Sequence, residues 1–288
     1  MTYVRSFSCV VQSYLFPSKK HFSRGATMAA AGSLGLLQAP SSFTAAAASR
    51  PASRRAPRAL FAVRASAAAD ATKDAVLKAF REKRALKIIS GLQNFDRSSV
   101  ASVVSAADKG GATHVDIACD QDLVKLALEL TSLPICVSSV DPSAFHSAVE
   151  AGAKMIEIGN YDSFYDTGIE FSSEKILKLT RETRKMLPDI TLSVTVPHTL
   201  SLSDQATPTL AAAYSISRAV TIPVMCASGL SSVTAPMAVT AGAAGVGVGS
   251  AVNKLNDIVA MVAEVKSIAE ALGLPSRNVS SNLRTVHH

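Results

Sequence analysis

The sequence predicts an α/β protein of the (β/α)8 TIM-barrel type that lacks one βα unit, and three observations lead there. From Ala71 onward, short β-branched runs alternate with amphipathic helical stretches, the pattern of successive βα units around a parallel sheet. Three junctions share one local grammar, Gly110-Gly111-Ala112, Ala151-Gly152-Ala153 and Ala241-Gly242-Ala243. Glycine there suits a left-handed helix stop before a tight turn into the next strand. Finally, seven strands are countable where a closed barrel of this kind needs eight. No GxGxxG follows the first strand, which argues against a dinucleotide-binding sheet.

A helix over Asp74 to Lys83 leads. The first strand, Ala85 to Leu92, turns Leu86 and Ile88 toward the helical shell and Lys87 inward, because alternate residues of a barrel strand face opposite sides. The second, Ala112 to Cys119, sends Val115 and Ile117 outward and His114, Asp116 and Ala118 inward. The third is the apolar run Pro134 to Val140. The fourth, Ala153 to Tyr161, has Ile156 and Ile158 outside and Glu157 and Gly159 inside. The fifth, Thr191 to Thr199, has Leu192, Val194 and Val196 outside and Ser193, Thr195 and Pro197 inside. A helix over Thr207 to Arg218 follows. The last strands are Ile222 to Gly229 and Gly245 to Val252, and a helix over Asn256 to Leu272 closes the chain. Between Thr199 and Ile222 there is room for that one helix and no strand. The deficit, strand six with its helix, therefore falls near Ser203-Asp204-Gln205-Ala206.

The 288 residues are 48% hydrophobic and 18% charged, enough for one sizeable core. The net charge of +7 comes from one place: Met1 to Ala69 holds nine Lys or Arg and no Asp or Glu, leaving 20 basic against 22 acidic residues elsewhere. A nucleic-acid partner loses its main support once that stretch is set aside. Rich in Ala, Ser and Arg, the stretch reads as a plastid transit peptide for the chloroplast stroma, with a processing site at Val63-Arg64-Ala65-Ser66. A disordered tail or mitochondrial presequence is the alternative. The expected division is residues 1–65 as a disordered transit peptide and 66–288 as the barrel. No apolar run is long enough for a membrane span. Cys9, Cys119, Cys136 and Cys226 show no metal spacing, and the last three fall on predicted strands as small core hydrophobes.

The final two strands both end in glycine. In many barrels the loops at this point offer backbone N–H groups to a phosphate, which singles out Ser228, Gly229, Gly247, Gly249 and Ser250. Close packing at a barrel corner is the competing reading. Within the lumen, Lys87, Asp116 and Glu157 form a set able to shift one another's pKa and to supply a base or a Schiff-base amine; the competing reading is a structural ion cluster. Beyond the strand ends lie Asn94, Asp96, Asp120, Asn160, Tyr161, Asp162 and His198. Asp120 and Asp141 also fit helix N-caps. His198 is the candidate for proton transfer, since imidazole titrates near neutrality.

Several segments together resemble a known family. They are Arg84-Ala85-Leu86-Lys87-Ile88-Ile89-Ser90-Gly91-Leu92, Asn94-Phe95-Asp96, Ile158-Gly159-Asn160-Tyr161-Asp162, Val194-Thr195-Val196-Pro197-His198-Thr199-Leu200 and Val224-Met225-Cys226-Ala227-Ser228-Gly229-Leu230. This set resembles the hypothetical chloroplast reading frame twenty-three family of cyanobacteria and plastids, from Lys73 to Glu270. The resemblance implies an aldolase-type barrel of uncharacterised activity. It also implies a helix and strand after Leu202-Ser203-Asp204-Gln205 that this chain lacks, at the place the strand count indicates. A skipped exon or faulty gene model is the simplest explanation. The functions that follow as expectations are an isomerase, lyase or aldol-type enzyme on a small phosphorylated metabolite, an FMN-dependent oxidoreductase using the same loops, or a ligand-sensing or scaffold protein without turnover.

Overall fold

The computed structural model describes residues 9–15, 74–159, 161, 164, 167–198 and 207–275. Its strands are β1 Cys9–Leu15, β2 Ala85–Ile89, β3 His114–Ala118, β4 Ile135–Ser139, β5 Met155–Ile158, β6 Thr191–His198, β7 Val224–Ala227 and β8 Gly245–Val248. They close into one barrel in the order β1-β6-β5-β4-β3-β2-β8-β7. The seven strands from β2 to β8 run parallel, each to its neighbour, and helices follow them around the outside. Between β6 and β7, where the eighth parallel strand of such a barrel would stand, β1 runs antiparallel to both. The fold is thus the (β/α)8 type with one unit missing.

The alternation read from the sequence holds. Leu86, Ile88, Val115, Ile117, Ile135, Val137, Ile156, Ile158, Leu192, Val194, Val246 and Val248 lie buried in one continuous core with the inner faces of the helices, including Val100, Val103 and Val104 of Arg97–Gly110 and Val265 and Ile268 of Ile258–Ala271. The three glycine junctions are left-handed as expected, with φ of 86° at Gly111, 123° at Gly152 and 111° at Gly242. The helix over residues 74–81 stoppers the N-terminal end of the barrel: Val76 and Phe80 cluster with Ala85, Cys136, Met155, Met225 and Ala244.

Some boundaries differ from the sequence reading. The last predicted strand ends at Val248, because Gly249 leaves the extended region (φ −117°, ψ −80°) and a short helix, Ser250–Asn253, begins. Cys119 lies just past β3, its thiol directed at the Ala144 carbonyl 3.3 Å away. Within the expected leader, Cys9–Leu15 is a strand; the remaining residues up to 73 lie outside the described ones. The outer face of β6 records the missing unit: Leu192 and Val194 are buried, while Val196 is 39% exposed. Among the described residues no helix is long and apolar enough to cross a membrane.

Candidate functional site

Barrel closure brings Lys87, Asp116 and Glu157 into one lumen, with 0%, 0% and 1% exposure. Lys87 on β2 reaches across to β5, where its Nζ donates to Glu157 Oε2 at 2.6 Å. The same oxygen accepts from Ser193 Oγ at 2.9 Å, and Oε1 accepts from Thr195 Oγ1 at 3.3 Å. A buried ion pair holds only when its remaining lone pairs are satisfied in this way. Gly159 makes room for the arrangement, since a Cβ there would collide with the Thr195 side chain.

Asp116 is treated differently. Both of its oxygens face the Ser138 hydroxyl, at 2.7 and 2.8 Å, and the Cys136 thiol also hydrogen-bonds the carboxyl. Burial raises its pKa to about 7, against the pull of Lys87 and with a further push from Glu157. A carboxyl that titrates near neutrality is equipped to take and return a proton. His114 lies on the same strand. The Thr113 hydroxyl donates to the Leu86 carbonyl at 2.8 Å, so His114 Nδ1, 2.9 Å from Thr113 Oγ1, meets that oxygen as an N–H donor. Burial, and secondarily Lys87, holds His114 well below the usual imidazole range, and it is neutral. Burial likewise raises the Cys136 thiol well above its ordinary range and the Cys119 thiol to about 12, so neither is a reactive thiolate.

At the C-terminal ends of the strands, Ser228 and Gly229 follow β7 with φ of 88° and 66°. A serine at positive φ is strained by ~1–3 kcal/mol, and such residues concentrate at functional sites. Gly249 precedes the short helix that begins at Ser250, which is exposed. Gly247 belongs to the lumen wall instead: a Cβ on it would lie 3.1 Å from both Ala227 Cβ and Ile89 Cδ1 and 3.6 Å from Lys87 Cε. Its packing duty is to leave room for Ala227 and the Ile89 side chain. Asn253, just past the predicted last strand and not among the sequence candidates, donates from Nδ2 to the carbonyls of Ile89 and Ser90 at 3.0 and 3.1 Å. It ties the end of β2 to the short helix after β8.

Several loop candidates have structural duties. Asp96, Asp120 and Asp141 accept backbone N–H bonds as N-caps, and Asn94 bridges the hydroxyls of Ser90 and Ser99. Tyr161 is fully buried and stacks on Phe171 at 4.5 Å. Asn160 and Asp162 lie outside the described residues. His198 is the last residue of β6, and its side chain also lies outside them.

The family profile described as "Protein of unknown function (DUF561)" matches residues 71–207 and 204–277. Similar proteins include the "Uncharacterized protein ycf23" of Cyanophora paradoxa, 38% identical over 218 positions covering 63% of this chain and 90% of that protein. Its namesake in Porphyra purpurea is 31% identical over 240 positions, covering 71% and 90%. In the Cyanophora alignment, 63% of 288 residues is about 181, and 218 − 181 leaves about 37 positions of the relative with no counterpart here. That is the length of one βα unit, and the two profile stretches meet at residues 204–207, where the deficit was read. Among solved structures, (S)-3-O-geranylgeranylglyceryl phosphate synthase from Thermoplasma acidophilum aligns with a TM-score of 0.48 at 13% identity, over 70% of this chain and 97% of that one. Thiamine phosphate pyrophosphorylase from Pyrococcus furiosus aligns at 0.42 and 17%, over 67% and 97%. Likenesses of that order carry no inference about activity. With the profile spanning most of the chain and relatives covered over nine-tenths of their length, the chain belongs to the DUF561 family, together with the ycf23 proteins.

Proposed function

We propose that this is a plastid-imported barrel that binds a small phosphorylated metabolite where β7 and β8 end and uses Asp116 to move a proton on it, as in isomerase, lyase or aldol-type chemistry. The observation that carries the reading is Asp116 itself: a carboxyl held near pH 7 beside a Lys87–Glu157 pair, inside a barrel whose C-terminal end is its site-bearing face. Phosphate binding draws support from the strained Ser228-Gly229 turn and from Gly249 and Ser250 on the adjacent strand end. Import draws support from the acid-free leader, which ends where the family match begins at residue 71. A fluorescent protein carrying residues 1–65 is expected in plastids, and its absence there would remove that part of the reading.

The first test is thermal unfolding of the full chain with inorganic phosphate, a panel of phosphorylated metabolites, and FMN. A phosphorylated ligand raises Tm, and Ser250→Asp, an exposed change that repels the anion and suits a helix start, abolishes the rise. A yellow protein stabilised by FMN would instead favour the oxidoreductase reading. No shift with any of them would sink the phosphate site. A second reading has its own observation: Lys87, Glu157, Ser193 and Thr195 already satisfy one another without a substrate, as in a structural cluster. Binding with no turnover, unchanged in Asp116→Asn, would favour a sensor or scaffold over an enzyme.

A further inference from the structure

Among the described residues, β1 differs from every other strand in how it is held. The strands from β2 to β5, and β7, are each followed by a helix and the next parallel strand, whereas Leu15 is separated from the plug helix at residue 74 by residues 16–73, 73 − 15 or 58 in number. β1 is also antiparallel to both neighbours, pairing from Cys9↔His198 to Leu15↔Leu192 on one side and from Val10↔Ala227 to Ser13↔Val224 on the other. Its sequence, Cys-Val-Val-Gln-Ser-Tyr-Leu, is uncharged and β-prone, and Pro17 follows closely. Such a run adds readily to an open strand edge.

The geometry makes the insertion easy to undo. Leu15 pairs near the start of β6, at the N-terminal end of the barrel, and the helix of residues 74–81 closes that same end. Leu15 and the start of the helix at residue 74 therefore lie at the same end of the barrel. Two ladders hold β1 in its place, and the helix Thr207–Ala219 lies against it.

We propose that the space between β6 and β7 is a strand-acceptor slot and that Cys9–Leu15 is its detachable occupant. Cutting the chain between residues 15 and 74 opens a site for an uncharged, β-branched peptide bound antiparallel, the first such ligand being the excised segment itself. The slot is independent of the phosphate reading. Its consequence in a cell rests on the import reading, since processing near Ala65 is a cut of this kind.

The test uses the full chain with a protease recognition sequence inserted after Ala65, cleaved once folded and analysed by native mass spectrometry and size exclusion. The leader fragment is expected to stay bound until mild denaturant releases it. A labelled peptide of residues 7–17 should then rebind the stripped barrel with one-to-one saturation. A peptide with Gln12→Pro, which cannot donate to the ladder at that position, should bind at least tenfold more weakly. Should the stripped barrel unfold, refolding on addition of the normal peptide but not the proline peptide supports the slot as well. Four results overturn it: immediate loss of the leader with unchanged Tm and no rebinding; equal binding of the two peptides; unfolding that neither peptide reverses; or a dimer that fills the slot with a second copy and excludes the peptide. Because the cut is engineered, none of these depends on whether the leader directs import.

Discussion

Asp116 and His114 sit two residues apart on β3, and their titrations act on stability in opposite directions. Asp116 has a folded pKa of about 7, above its ordinary carboxylate value. The folded state therefore holds a proton that the unfolded chain has released, and stability from this group falls as pH rises from about 4 to about 7. His114 is depressed by burial, so the unfolded chain takes up a proton that the folded state refuses, and stability from it falls as pH drops below about 6.5. Asp116→Asn removes the first dependence and keeps the second. Urea unfolding between pH 5 and 8 should show the variant gaining on the parent protein as pH rises. A constant difference across that range would show that Asp116 stays ionised in the lumen. These inward positions were legible in the sequence because a Lys, an Asp and a Glu among branched apolar neighbours stand out at period two. That the three could pair was legible too, but which carboxylate Lys87 takes was not. The Lys87–Glu157 bond joins residues 70 apart in sequence, and only barrel closure brings them together.

At the scale of elements, the shell closes where its first and last long helices meet. Arg97–Gly110 lies along Ile258–Ala271, and Gly110 sits so close to Val265 that a Cβ at position 110 would overlap it. Gly110→Ala gains helix propensity worth up to ~1 kcal/mol, yet overpacking at ~1–3 kcal/mol opposes it. The overlap involves a branched side chain close to its own backbone, with little freedom to yield, so a net loss of about 1–2 kcal/mol in urea unfolding is expected. A neutral or stabilised variant would mean that the two helices respace freely. Element types were well signalled by the sequence, since the glycine stops and the alternating strands are local features. The end of β8 was not, because Gly249 to Val252 is apolar and small enough to read as either strand or helix, and the hydrogen bonds of Asn253 decide it only in three dimensions.

For the whole molecule, the count of βα units was legible and the identity of the closing strand was not. β1 comes from a stretch whose composition reads as a leader, and nothing local marks seven of its residues as part of a barrel. Inserting the βα unit of a relative between Gln205 and Ala206 should supply the parallel strand and displace β1. The grafted chain is expected to have the same Tm with and without residues 1–65, whereas the ungrafted chain loses stability on that truncation. A graft that still depends on residues 1–65 would show that β1 does more than fill a gap.

The stopper formed by residues 74–81 gives this lumen the character of a cul-de-sac. With Val76 and Phe80 closing one end, Asp116 is expected to exchange its proton toward the opposite mouth, where the strands finish. Any molecule seated across that mouth would therefore also act as a gatekeeper for proton exchange, joining occupancy of the outer loops to the charge state of the interior without a conformational change.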